Sequence, residues 1–211
     1  HGGAVKRAPQ GEMIGLMTPE SVLHTMTKGV MREEALSLTD QEKREVAEYI
    51  SGVKLGGELT PLPACDNKSA TLASSSSINW GIQPENTRTI STEVAGISST
   101  NIIKLTTKWA IAFPDSSRVR SQPTFAGNQI FVGSHSGIVY SLDRDEGCAN
   151  WSYIASAEVR TGITYSASGP DPMIFFGDVI GNVYGLNANT GEKMWRTRAD
   201  DHPNATITGT P

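Results

Sequence analysis

The chain has 211 residues, 37% hydrophobic and 19% charged, with a formal net charge of −4 and a pI near 5.6. This composition fits one or two globular domains. Its lysines and arginines are scattered rather than clustered, which argues against a nucleic-acid groove or a surface for anionic membranes. No apolar run approaches the roughly 18 residues of a membrane span, and no charged-then-apolar leader opens the chain. Because the first residue is His1 rather than Met, an upstream piece is expected to be missing.

Residues 1–17 are glycine-rich and read as irregular. Thr18-Pro19-Glu20 then has the form of a helix start, with Thr as N-cap, Pro at the first helical position and an acid facing the dipole. Val22, Leu23, Met26 and Val30 follow at helical spacing, and Gly29 weakens the end. Thr39-Asp40-Gln41-Glu42 is a capping box that opens a second helix, with Val46, Tyr49 and Ile50 as its expected buried stripe and Ser51-Gly52 as its end. Two helices this short bury little surface alone and need a partner. From Gly56 to Ser77 the residues are those of a linker: Gly-Gly, Pro61, Pro63 and a run of serines.

The remainder is a repeat. Phe131, Gly133, Gly137, Val139, Tyr140, Leu142, Gly147 and Trp151 recur 44 residues on as Phe175, Gly177, Gly181, Val183, Tyr184, Leu186, Gly191 and Trp195. Trp109 closes an earlier, less complete unit. Each unit predicts a strand (Ile130–Gly133), a tight turn, a strand (Ile138–Leu142), a glycine turn and a strand opening with Trp, the pattern of four-stranded propeller blades. The fold class is therefore mainly β, a partial β-propeller preceded by a short helical tail. A Trp from each unit is expected to wedge between neighbouring blades, and a ring of so few blades is expected to stay open with apolar faces exposed.

Cys65 and Cys148 are too far apart for a CxxC motif. They read either as one disulfide tying the linker to the propeller, which needs an oxidising compartment, or as two unrelated buried thiols. The place of Cys148 in a turn favours the disulfide.

The stretches Leu142-Asp143-Arg144-Asp145-Glu146-Gly147-Cys148-Ala149-Asn150-Trp151 and Leu186-Asn187-Ala188-Asn189-Thr190-Gly191-Glu192-Lys193-Met194-Trp195 resemble the tryptophan-docking motif of quinoprotein propellers that bind pyrroloquinoline quinone (PQQ). The first departs from the motif in having Glu146 for Thr. Non-enzymatic propellers of outer-membrane assembly machinery carry the motif as well. Trp80 to Arg88 resembles the entry segment of the group. Ser121-Gln122-Pro123 and Asp201 to Gly209 resemble the polyvinyl-alcohol dehydrogenase branch, in which a cytochrome c region precedes the propeller.

The resemblance divides the chain into the end of a cytochrome c-like domain (1–55), a linker (56–77) and the first blades of what is eight-bladed when complete (78–211). It implies a periplasmic PQQ-dependent alcohol dehydrogenase that passes electrons to haem c and to an electron-accepting cytochrome. Arg160, in Val159-Arg160-Thr161, matches an arginine beside the quinone, Thr208 a hydroxyl contact to a cofactor carboxylate, and Arg120 a position where relatives have a glutamate. Calcium ligands and a catalytic aspartate base are expected in later blades, so no catalytic residue is assigned here and the chain alone is expected to be inactive. His1-Gly2-Gly3 looks like the end of a Cys-x-x-Cys-His haem motif, and Met31 sits where such cytochromes place the axial Met. His1 and Met31 are thus the implied iron ligands if the cysteine pair lies upstream.

Set beside this are a non-catalytic propeller scaffold for partner proteins and an electron-transfer cytochrome with an incidental β domain; the larger size of the propeller argues against the latter. Trp109, Trp151 and Trp195 are read as structural. His24 and His135 read as exposed or locally bonded, and His202 as lining the funnel or holding its turn. No Ser/His/Asp triad, phosphate loop or zinc ligand set is visible.

Overall fold

The computed structural model describes residues 11–29, 31–57, 61–66, 72, 77–78, 80–82, 86–116, 118–202 and 204–211. A single helical turn, α1 (Gly11–Ile14), stands where an irregular segment was expected, and Ile14 packs into the apolar cluster of the helices that follow. In α2 (Pro19–Thr27) the Thr18 hydroxyl accepts the Ser21 amide at 3.3 Å and Pro19 fills the first helical position. In α3 (Asp40–Ser51) both halves of the capping box form. The Thr39 hydroxyl accepts the Glu42 amide at 3.2 Å, and the Glu42 carboxylate accepts the Thr39 amide at 2.7 Å. Gly52 ends α3 at φ +71°, a conformation that glycine adopts without penalty.

Val22, Met26, Ala35 and Ala47 form the centre of this small helical core, with Val46 and Ile50 packed around it. Tyr49 does not join the stripe expected of it and is 89% exposed. Ala47 is the contact residue of α3, and a face centred on Ala47 and Ile50 turns Tyr49 to the flank.

The β region holds two antiparallel sheets of almost identical construction. The first runs in the order β1 (Ser77–Ile78), β2 (Thr124–Ala126), β3 (Gln129–Gly133), β4 (Ile138–Asp143), β5 (Ala149–Ile154). The second runs β6 (Thr164–Ser166), β7 (Met173–Gly177), β8 (Asn182–Asn187), β9 (Lys193–Arg198). The expected strands are present with slightly wider bounds, and those carrying Trp151 and Trp195 begin two residues before the indole. The short inner strands β2 and β6 were not foreseen. Each sheet has its irregularity at the same place, between Ser141 and Leu142 and between Gly185 and Leu186. The rings of Phe131 and Trp151 lie 5.8 Å apart, and those of Phe175 and Trp195 lie 6.0 Å apart.

Strand alternation sends side chains to both faces of each sheet. Phe131 and Val139 face the second sheet and meet Tyr165, Ile174, Phe176, Tyr184 and Leu186. On the opposite face of the first sheet, Ile130, Val132, Ile138, Tyr140 and Leu142 are covered by Trp109, Ile111 and Phe113. All five residues of β3 are consequently buried, whereas every residue of β9 is exposed and Trp195 is 40% exposed. The first blade is covered on both faces and the second on one.

The contact between blades rests on an indole and a glycine turn. The Trp151 Nε1–H donates to the Ala188 carbonyl at 3.0 Å, and its ring lies against Gly191. One unit earlier, the Trp109 Nε1–H donates to the Arg144 carbonyl at 3.0 Å over Gly147. Both glycines have positive φ (+75° and +73°), and a Cβ on either would come within 2.6 Å of the indole. Each turn is tied by its leading side chain. Asp143 Oδ1 accepts the amides of Asp145 and Glu146, and Asn187 Oδ1 accepts those of Asn189 and Thr190. The Thr that Glu146 replaces is therefore not needed to hold the turn.

A disulfide joins Cys65 to Cys148, with Cα atoms 5.1 Å apart across a sequence separation of 83. The same point is held by backbone bonds: the Ala149 amide donates to Pro63 and the Cys65 amide to Ala149. Part of the expected linker is thus pinned to the outer strand of the first blade. The serine run before residue 77 lies outside the described residues.

Two outcomes check this account. Gly191→Ala should lower unfolding stability by about 2–4 kcal/mol, because left-handed strain adds to displacement of the Trp151 indole. Gly52→Ala, with open space at its Cβ position, should lose only about 1 kcal/mol of conformational preference. Denaturant melts of both variants measure the contrast. Reducing the disulfide should lower stability by about 4 kcal/mol, as expected for a closed loop of this length, read as a fall in melting temperature with dithiothreitol.

Candidate functional site

The inner strands are entered by loops that repeat from unit to unit. In the first blade the Ser121 hydroxyl accepts the Gly133 amide at 3.0 Å; in the second the Thr161 hydroxyl accepts the Gly177 amide at 3.2 Å. A Cβ on Gly133 would strike Val159, and one on Gly177 would strike Ile207. The Val159 amide donates to Ser134 O and the Ile207 amide to Asp178 O, again 44 residues apart on the acceptor side. These contacts make Arg120, Arg160 and Thr208 equivalent positions in three successive loops. Thr124 Oγ1 donates to the Ile163 carbonyl, and the Gly162 amide donates to Thr210 Oγ1 at 3.0 Å, so the loops are laced side by side.

The loops carry more charge than the sequence reading foresaw. Arg118 grips Glu158 with two bonds, Nε to Oε1 at 3.2 Å and Nη2 to Oε2 at 3.0 Å. Arg160 Nη2 reaches the same Oε2 at 2.8 Å. Glu158 is only 2% exposed, while Arg118 and Arg160 keep part of their side chains in solvent. Burial disfavours the Glu158 carboxylate, but the bonds and charges of the two guanidiniums outweigh it and hold the group below the usual carboxylate range. Two arginines (118 and 160) share this one carboxylate, leaving net positive charge in the cluster of a chain whose net charge is −4. Arg160 Nε is buried and has no hydrogen-bond partner among the described residues. Arg120 and Thr208 are exposed. A spare N–H donor beside two guanidiniums that share a single carboxylate is chemistry suited to an anionic group.

Met31 is half-buried in the helical cluster around Val22 and Met26, and its backbone bridges Thr25 O and the Ala35 amide. His1 lies outside the described residues. Among the described residues no group of three His, Cys, Asp or Glu is placed to hold a metal ion. His202 Nδ1 accepts the Asn204 amide at 3.2 Å and so ties its own turn. The helical tail meets the charged loop itself, just before Glu158. Met17 bridges Ala157, and the Thr18 amide donates to Ser156 O at 3.2 Å.

Arg118 and Glu158 were not singled out from sequence, yet a signal was present. Arg118-Val119-Arg120-Ser121, Glu158-Val159-Arg160-Thr161 and Thr206-Ile207-Thr208-Gly209 align as one pattern, at offsets of 40 and 48 rather than 44. A search at a single fixed period passes over it.

Two blades wedged by docked indoles, with repeating inner loops, define a β-propeller of the quinoprotein type. The chain belongs to the PQQ_2 family, described as outer membrane protein assembly factor BamB, whose model matches residues 67–211. Over its whole length it is 29% identical to a polyvinylalcohol dehydrogenase from Pseudomonas sp, covering 36% of that protein. It is likewise 29% identical, over 99% of the chain, to a polyvinylalcohol dehydrogenase from Sphingopyxis sp. (strain 113P3), covering 35% of it. The chain thus spans about a third of the length of these relatives. A quinohemoprotein alcohol dehydrogenase structure from Comamonas testosteroni matches 68% of the chain and 23% of its own, with a TM-score of 0.55 at 19% identity, a likeness of fold.

The depressed Glu158 group has a checkable sign. Its contribution to stability is present above the unfolded glutamate value of about 4.3 and is lost as pH falls through the lower folded value. Glu158→Gln should therefore flatten the acid limb of the stability–pH curve below that range, measured by denaturant melts across pH.

Proposed function

We propose that this chain forms part of a PQQ-dependent alcohol dehydrogenase of the polyvinyl-alcohol type, in which the propeller funnel holds the quinone and the preceding helices belong to a cytochrome c region. The observation that carries the reading is the reach of the similarity. The family model begins at residue 67, but the likeness to polyvinylalcohol dehydrogenases runs across the entire chain, helical tail included. A scaffold propeller accounts for the blades and leaves that tail unexplained.

In this reading Arg160 donates its spare Nε–H and its guanidinium charge toward the quinone side of the cofactor, and Thr208 donates its hydroxyl to a cofactor carboxylate. Arg120, one unit before Arg160, adds a cation to the same rim. When bound, PQQ would supply two-electron acceptance from an alcohol, and haem c would supply one-electron transfer toward an accepting cytochrome. The residues here bind and orient the cofactor; calcium and a carboxylate base are assigned to other blades of the intact protein. His1 and Met31 would hold the haem iron, given a Cys-x-x-Cys pair before His1. The contact of Met17 and Thr18 with Ala157 and Ser156 supports this order, because it joins the helical tail to the loop that carries Arg160. The Cys65–Cys148 disulfide suits a periplasmic location. Among the described residues no helix is long and apolar enough to cross a membrane.

The test uses the intact polypeptide reconstituted with PQQ and Ca²⁺. Secondary alcohols or polyvinyl alcohol should drive reduction of an artificial acceptor, and Arg160→Met should weaken PQQ binding at least tenfold, as loss of a charge-assisted contact does. Absence of both PQQ binding and alcohol-dependent turnover would leave the scaffold reading in its place.

A further inference from the structure

Glu158 is the most deeply buried charged group of the inner loops, and the cofactor assignment gives it no role. Its carboxylate is the hinge of a three-membered bridge: Arg118 comes from the loop entering the first blade, and Glu158 and Arg160 from the loop entering the second. Arg118 approaches through two nitrogens, which fixes the plane of the carboxylate, while Arg160 uses only Nη2 on Oε2. One end of the Arg160 guanidinium is therefore anchored, and its Nε–H is left buried with no hydrogen-bond partner among the described residues. The Glu158 backbone is fixed as well, since its carbonyl accepts the Val179 amide at 3.0 Å.

We infer that Glu158 is a positioning residue: clamped by Arg118, it holds Arg160 in the orientation that presents its free donor to the cofactor. An arginine side chain has large rotamer freedom, and anchoring it beforehand removes most of that entropic loss from the binding step. The carboxylate also offsets repulsion between two guanidiniums on neighbouring loops, so the cationic rim is compatible with close blade packing. The counter-clamp from another blade links cofactor affinity to the docking of the first blade on the second. This inference rests on Arg160 as a PQQ contact.

The experiment is a double-mutant cycle on PQQ affinity in the intact, calcium-loaded polypeptide, followed by equilibrium titration rather than turnover. Glu158→Gln keeps the shape and removes the charge. It should weaken PQQ binding about tenfold in the parent but less than twofold when Arg160 is already Met, the signature of residues acting through one network. Arg118→Met, which touches only the clamp, should weaken binding about threefold in the parent and not at all beside Arg160→Met, so the cycle can be completed even if Glu158→Gln folds poorly. Equal effects of Glu158→Gln in both backgrounds, or no effect in the parent while Arg160→Met is impaired, overturns the positioning role and leaves the cofactor assignment standing. PQQ binding unchanged by Arg160→Met, or absent altogether, overturns both.

Discussion

The architecture depends on an indole that must find a residue without a side chain. Trp109 over Gly147 and Trp151 over Gly191 place a large flat ring where a Cβ would stand within 2.6 Å, and each indole N–H reaches a turn carbonyl that would otherwise be left open. A blade of four short strands has two apolar faces and cannot cover either. The docked ring seals one face and fixes the angle at which the next sheet arrives. The same contact explains why glycine is required: the turn needs left-handed backbone at Gly147 and Gly191, and the approaching ring needs the empty space.

From this wedge the position of the inner loops follows. Once adjacent sheets are set at a repeated spacing, the residues just before each inner strand come into register, and Arg120, Arg160 and Thr208 occupy equivalent positions in successive loops. Hydroxyls secure the steps, with Ser121 and Thr161 bonding to glycine amides of their own blades while Thr124 and Thr210 bond across to neighbours. Surplus positive charge can gather there because a single buried carboxylate, Glu158, sits between two guanidiniums. Packing sets the geometry, and one ion-pair bridge makes that geometry compatible with a cationic site.

Much of the fold was legible in the residues. The period of 44, the glycine turns and the capping box at Thr39 each state a local requirement, and each was met where it was read. Tyr49 was misplaced because helical spacing alone does not reveal that a small residue, Ala47, makes the close contact. The turn at Gly11–Ile14 and the three-residue inner strands are too short to carry a period. For the proposed site, Arg160, Arg120 and Thr208 rest on a family resemblance that marks their positions. Glu158 was hidden because the loop between an outer and an inner strand changes length from one unit to the next. The four residues Asp200 to Pro203 shift the offset from 44 to 48, so the loops fall out of phase with the blades they serve.

The docking contact can be observed directly through the four indole N–H groups of the 211-residue chain, by the rate at which they exchange with deuterated water in nuclear magnetic resonance spectra. Trp109 and Trp151, bonded to turn carbonyls, should exchange slowly, while Trp80 and the half-exposed Trp195 should exchange within the dead time. Equal rates for all four, or protection of Trp195 with rapid loss at Trp151, would contradict the wedge and with it the register of the inner loops.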